Sequence, residues 1–115
     1  MSRELDHTTM AMSDPALALI VARLVEAFHP VRIHLFGSHA RGDAGPESDY
    51  DLMLMMPDDA PVSLLDPRSA YKVLRGTDVA ADVLLLRRSK YERELHLQGS
   101  LPAVIEREGK ILYAA

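Results

Sequence analysis

The sequence predicts an α+β domain, a small mixed β-sheet with helices packed on it. Its elements read in the order helix, strand, loop, strand, helix, strand, helix, an alternation satisfied by a sheet with helices on its faces. One run, Tyr50 to Met56 (YDLMLMM), is apolar on both faces and so belongs at the centre of that sheet. With 115 residues the chain has room for one core, which buries roughly two-thirds of the unfolded surface.

Ser13 or Asp14 as N-cap and Pro15 at the first helical position open the first helix, and Leu17, Ile20, Val21, Leu24 and Phe28 recur at helical spacing before Pro30 stops it. The opposite side of this helix, Leu19, Ala22 and Val25, is also apolar, so it is either buried in the domain or a docking face. Val31 to Phe36 (VRIHLF) reads as a strand entering a tight turn at Gly37-Ser38, and residues 39–48 read as loop, punctuated by Gly42, Gly45 and Pro46. After the central strand, Pro57 and Pro61 bracket an acidic turn. Asp66 caps and Pro67 starts a helix with Ala70, Val73 and Leu74 inward, closed by Gly76. Asp82 to Leu86 is a third strand, Arg88 to Leu97 a charged helix, Leu101 to Glu108 an apolar-faced helix ended by Gly109, and Lys110 to Tyr113 a short last strand.

Thirteen Lys and Arg against seventeen Asp and Glu leave a net charge of −4, the wrong sign for holding nucleic acid by its phosphates. Apolar residues at 48% and charged ones at 26% are ordinary for a folded chain. The absence of Cys removes disulfides, thiolate metal sites and cysteine nucleophiles, and fits a reducing compartment. The longest apolar run, Ala16 to Ala22, is short of a membrane span, and the N-terminal residues lack a basic signal region. These features predict a cytoplasmic protein with a mobile tail over residues 1–12 and one domain over 13–115.

Three carboxylates carry the chemistry. Asp49 and Asp51 stand two apart at the mouth of the central strand, so both leave one face with Cα atoms roughly 6–7 Å apart, while Tyr50 points to the other face. Two converging carboxylates repel unless a divalent cation neutralises them, and hard oxygen donors suit Mg²⁺. Asp51 and Asp82 each abut an apolar run, where an unpaired charge is expensive. Asp82 is therefore the third carboxylate, with Asp78 in reserve. Gly37-Ser38-His39-Ala40-Arg41-Gly42, set just after a strand, reads as an anion cradle: Gly37 permits close approach, and the Ser38 hydroxyl and following N–H groups can receive a phosphate. It is not a Walker A loop, because Asp43-Ala44 follow Gly42. Arg41 has two readings, a phosphate contact or an ion pair with a loop acid such as Asp43. The five His residues show no metal-ligand spacing, and of them only His39 lies where it could touch a nucleotide. Arg87-Arg88-Ser89-Lys90 reads as a solvated helix start that could orient an acidic partner.

Gly37-Ser38-x-Ala40-Arg41-Gly42, six residues, then Ser48-Asp49-x-Asp51-Leu52, with Asp82 later in an apolar strand, resembles the signature of the polymerase-β-type nucleotidyltransferases. The short chain resembles the minimal nucleotidyltransferases, antitoxins paired with HEPN-domain ribonuclease toxins. That resemblance implies a polymerase-β-like fold and transfer of AMP from ATP to a tyrosine of the toxin. It further implies that Gly37 and Ser38 hold the triphosphate, Arg41 matches the basic motif position, and Asp49, Asp51 and Asp82 bind two Mg²⁺ ions. Asp82 would also assist the attacking hydroxyl. Two other functions fit the same residues less closely: an antitoxin acting by occlusion alone, disfavoured because all three acids are intact, and a small-molecule enzyme of the aminoglycoside type, disfavoured by length.

Overall fold

The computed structural model describes residues 14–115, so the expected tail over residues 1–12 lies outside the described residues, as does Ser13. Asp14 takes the N-cap role, its Oδ1 accepting from the Leu17 N–H at 3.2 Å, and Pro15 opens α1 (Pro15–Phe28). The buried stripe of α1 is Leu17, Ile20, Val21, Leu24 and Phe28, as its periodicity predicts. Its C-terminal residue is followed by His29 in the left-handed region, which turns the chain into β1 (Arg32–Phe36). Then come α2 (Gly37–Arg41), β2 (Tyr50–Met56), a 3-10 turn at Val62–Leu65, α3 (Pro67–Val73), β3 (Ala81–Arg87), α4 (Arg88–Glu94), α5 (Leu101–Glu108) and β4 (Lys110–Ala114).

The sheet has the order β3-β2-β1-β4, mixed as expected: β1 pairs antiparallel with β2 and β4, whereas β2 and β3 are parallel and joined through α3. Residues Leu52 to Met56 are fully buried, which makes β2 the central strand. Alternation along the strands sorts the core into two layers. Leu52, Leu54 and Met56 join Ile33, Leu35 and the stripe of α1 on one face, where Ala70 of α3 and Leu74, its C-cap, are added; the helix thus ends at Val73, and the positive-φ Gly76 expected to close it stands two residues beyond that cap. Met53 and Met55 face the other way, against Tyr91 of α4 and Ile105 of α5.

The structure revises the expectations at four points. Gly37-Ser38 is not a bend followed by loop: Gly37–Arg41 forms a short helix between two positive-φ glycines, seated by the buried Ala40. The charged helix ends at Glu94 rather than Leu97, because the Glu94 carbonyl accepts from the Leu97 N–H (3.0 Å) and the Ser100 Oγ (2.6 Å), which draws the chain off the helical path. The outer side of α1 is a smaller patch than its sequence suggests, since Val25 packs against the core and leaves Leu19 and Ala22 outward. Arg87 is also more than a solvated helix start: it donates to the carbonyls of Asp58 and Ala60, while Asp58 accepts from the Ser89 N–H, so the acidic turn and the start of α4 hold each other. Among the described residues no helix is long and apolar enough to cross a membrane.

His34 is the buried polar residue of the core, 2% exposed, with Nε2 lacking a hydrogen-bond partner. It stacks on Tyr91 (centroids 5.6 Å apart), whose hydroxyl donates to Glu106 at 2.8 Å. Burial first and Arg32 second lower its pKa from 6.5 to about 4, against a smaller opposing pull from Glu106. The unfolded chain therefore takes up a proton before the folded one, and the native state loses stability as pH falls from 6.5 towards 4. His34→Phe keeps the shape and removes the titration. In urea melts from pH 7 to pH 4 the parent should fall relative to this variant by up to roughly 3 kcal/mol. Identical pH profiles would refute the assignment.

Candidate active site

The site grows from the junction of β1 with α2. Gly37 leaves the strand with φ +73°, and a Cβ there would collide with the Asp51 carboxylate. A residue without a side chain is thus required by the acid lying against the backbone, in addition to any approach by a phosphate. Gly42 closes α2 in the left-handed region, and the Ser38 carbonyl accepts from the N–H groups of Gly42 (2.9 Å) and Asp43 (3.1 Å). Arg41 is exposed and ion-paired, Nε to Asp43 at 3.2 Å and a terminal nitrogen to Glu108 at 3.7 Å; the Asp43 hydrogen bond holds its pKa above the usual value. Of its two sequence readings, the ion pair with Asp43 is the one this conformation contains.

The loop between α2 and β2 is fastened by contacts that sequence reasoning missed. The Ser48 carbonyl sits 2.9 Å from His39 Nε2, and because a carbonyl only accepts, Nε2 carries the proton. The same imidazole stacks on Tyr50, centroids 4.1 Å apart at 20°. The Tyr50 hydroxyl donates to Asp14 Oδ2 at 2.7 Å, and burial, followed by that hydrogen bond, pushes the phenol up to about 12. Tyr50 thus points to the α1 face, as expected, which sends its neighbour Asp51 to the other. His39 is a brace for the loop that delivers Asp49. The only sequence signal for it was the presence of aromatic rings at both ends of a short glycine-rich loop.

Parallel register sets Asp51 directly opposite Asp82. Asp49 stands one residue ahead of β2, and all three acids line one cleft of about 780 Å³, whose further walls include Phe36, Tyr71, Leu74 and Arg75. Asp78, the reserve carboxylate, is not among its lining residues. Asp51 is half-buried and the other two acids are exposed. Its pKa is raised by burial first and then by Asp82 and Asp49, with His39 and Arg41 pulling the other way. A partly desolvated carboxylate between two like charges is a set of hard oxygens that a divalent cation neutralises, so these residues fit such an ion. Among the described residues no three Asp, Glu or His side chains already stand together at metal-ligand spacing; what the backbone builds is the pair, with Asp49 on the rim. Gly37 and Ser38 are not among the residues lining this cleft. They stand beside Asp51 on the β1 side, since Phe36 is its register partner there.

Comparison with known proteins agrees with this geometry. The family model described as "Nucleotidyltransferase domain" matches residues 17–110. A candidate nucleotidyltransferase from Sulfolobus solfataricus, known from its crystal structure, superposes with a TM-score of 0.59 at 18% identity, covering 96% of this chain and 86% of that one. A toxin-antitoxin crystal structure containing AMP-PNP superposes with a TM-score of 0.53 at 21% identity, covering 84% of this chain and 72% of that one. At these identities the likeness shows a shared fold. No curated protein matches the sequence.

The crowding of Asp51 makes a testable statement about stability. Because its folded-state pKa lies above the unfolded value, its charge costs stability at neutral pH, and that cost disappears as pH falls through the raised pKa. With a chelator present, Asp51→Asn should therefore melt at or above the parent temperature at pH 7, and its advantage should shrink as pH falls through the raised pKa and be gone below the ordinary carboxylate value of roughly 3.9. A lower melting temperature at pH 7 would show that the carboxylate is held by favourable contacts instead. Gly37→Ala, by contrast, should cost about 1–2 kcal/mol through its positive φ, more if Asp51 cannot move aside, as read from urea midpoints.

Proposed function

The chain belongs to the nucleotidyltransferase domain family, and on that premise we propose that it transfers AMP from ATP to a hydroxyl, a tyrosine's, of a HEPN-type ribonuclease toxin. It is then a Mg²⁺-dependent antitoxin working in the cytoplasm, where both ATP and the metal are supplied. The observation that carries this reading is the side-by-side register of Asp51 and Asp82 with Asp49 on the same cleft. A transferase needs carboxylates at the reacting phosphorus, and a purely structural domain has no use for half-burying one of them against two others. The similarity in fold to a toxin-antitoxin structure containing AMP-PNP supports a protein partner and a nucleoside triphosphate substrate.

Mechanistically, the acceptor hydroxyl attacks the α-phosphorus, the new oxygen–phosphorus bond forms as the bond to pyrophosphate breaks, and pyrophosphate leaves in line. Ser38 and the N–H groups at the start of α2 hold the phosphate tail, close to the backbone of Gly37. Arg41, at the outer end of the same helix, exchanges Asp43 for a phosphate oxygen. Asp82, the more exposed member of the register pair, receives the acceptor's proton. Asp49, Asp51 and Asp82 would hold two Mg²⁺ ions, which when bound supply charge to the attacking and leaving oxygens. His39 and Tyr50 keep the loop ahead of Asp49 in place.

Incubation of the chain with its HEPN-type partner, ATP and Mg²⁺, followed by intact mass, should show the partner heavier by one or more AMP units. Asp49→Asn, Asp51→Asn and Asp82→Asn should each lower transfer by about a hundredfold or more, while Asp78→Asn leaves it near the parent rate. The Asp49→Asn variant should still bind the partner, because a few buried apolar anchors carry most interface energy. A partner that is silenced yet unmodified, and fully active once released, would overturn the transferase reading in favour of occlusion.

A further inference from the structure

We propose that the outward side of α3, where Arg68, Lys72 and Arg75 stand in line beside Tyr71, is the surface on which the partner protein docks, and that it takes an acidic segment of that partner. This deepens the reading above by giving the chemistry of the partner's contact, and rests on the chain having a protein partner.

Helix geometry sorts the residues of α3. At about 3.6 residues per turn, Ala70, Val73 and Leu74 share one side, and Arg68, Lys72 and Arg75 share the opposite one with Tyr71 next to them. The first side packs into the core. The second is exposed, and the Tyr71 ring is 82% so. From Pro67 to Arg75 the chain carries three cations and no acid, in a protein whose net charge is −4. The N-cap Asp66 is engaged by Arg68 at 2.8 Å, and no ion pair among the described residues includes Lys72 or Arg75. Arg23 of α1 adds a further cation at the end of the helix, donating to the carbonyls of Val73 and Arg75, each at 3.4 Å.

The sequence points elsewhere for an acidic partner, to Arg87-Arg88-Ser89-Lys90, and in the fold that cluster is occupied. Arg87 donates to backbone carbonyls, Arg88 pairs with Glu92 at 3.2 Å, and Lys90 meets Glu94 at 4.0 Å. Cations answered within their own chain have less to give a partner than Lys72 and Arg75 have. Arg and Tyr are also the residue types that most often anchor protein interfaces.

The charge of the patch defines what covers it. A second copy meeting it face to face across a twofold axis would set cations against cations. An RNA strand would meet a surface that is otherwise acidic, since the charge outside the patch is more negative than −4. A protein segment presenting carboxylates beside an apolar residue matches both features, its acids on Lys72 and Arg75 and its apolar residue on the Tyr71 ring. The helix is held from behind by buried Ala70 and Leu74, and Thr77 Oγ1 donates to the Leu74 carbonyl at 2.7 Å, so docking has little to order. The patch is separate from the chemistry. Because α3 packs with Leu52 and Leu54, alternation puts Asp51 and Asp82 on the other face of the sheet. No strand stands outside β3, so a partner seated on α3 can extend round that edge towards the acids.

Calorimetric titration of the full chain with its HEPN-type partner, without nucleotide, measures docking apart from transfer. The parent affinity should fall as salt is raised. Lys72→Gln with Arg75→Gln should weaken binding by about tenfold and flatten that salt dependence, and Tyr71→Ala should weaken it by about tenfold. Arg88→Gln with Lys90→Gln, the same change of charge in the occupied cluster, should stay within about twofold of the parent. Urea midpoints and affinity for α,β-methylene-ATP with Mg²⁺ should match the parent in every variant, since the altered side chains are exposed and the acids stand on the other face. Equal losses in the two double variants would overturn the inference by reducing it to net charge. Tighter binding of a single-stranded RNA oligonucleotide than of the partner, or self-association of the parent, either one abolished by Lys72→Gln with Arg75→Gln, would overturn it by giving the patch another occupant. A partner that binds parent and α3 variants alike would overturn it while leaving the transferase reading standing. A parent that binds the nucleotide analogue but no HEPN-type partner would overturn the partner assignment itself, and this inference with it.

Discussion

Parallel pairing of β2 with β3 is the constraint on which the rest depends, because it alone sets Asp51 opposite Asp82. A slip of one residue would send one acid to the far face of the sheet. The apolar residues of β2 do little to prevent this, since both faces of that strand are buried and either register would satisfy them. Polar contacts at the strand's first residue supply the missing specification. Tyr50 reaches its hydrogen bond to Asp14 and its stack on His39 only when it faces α1, and that orientation turns Asp51 the other way.

The two faces of the sheet are unlike in character. The layer beneath α1 and α3 is apolar. The layer beneath α4 and α5 contains the His34–Tyr91–Glu106 chain, in which one imidazole nitrogen is left without a partner. Both the orphaned nitrogen and the crowded Asp51 act against stability. Only the second stands on the cleft, where a charge held at some cost is a charge available to a ligand.

What the sequence disclosed follows the range of the interactions concerned. The buried stripe of α1, the bounds of β2, and the caps at Asp14 and Asp66 rest on neighbours within a turn or two, and each was legible. Asp51 and Asp82 were legible as acids abutting apolar runs, and the family resemblance joined them. Five residues are too few for a period, so α2 read as a bend. The end of α4 depends on Ser100, six residues beyond Glu94, which no local pattern signals. The same holds for His39, whose partner Ser48 lies across a loop.

Asp14 spends its two carboxylate oxygens on different parts of the molecule, Oδ1 on the first turn of α1 and Oδ2 on Tyr50. The shared carboxylate couples fraying of that turn to loosening of the loop ahead of Asp49. Amide protons at the start of α1 and along residues 45–50 should then exchange with solvent by a common route, so that a segment far in sequence from the carboxylates of the cleft steadies the loop ahead of them.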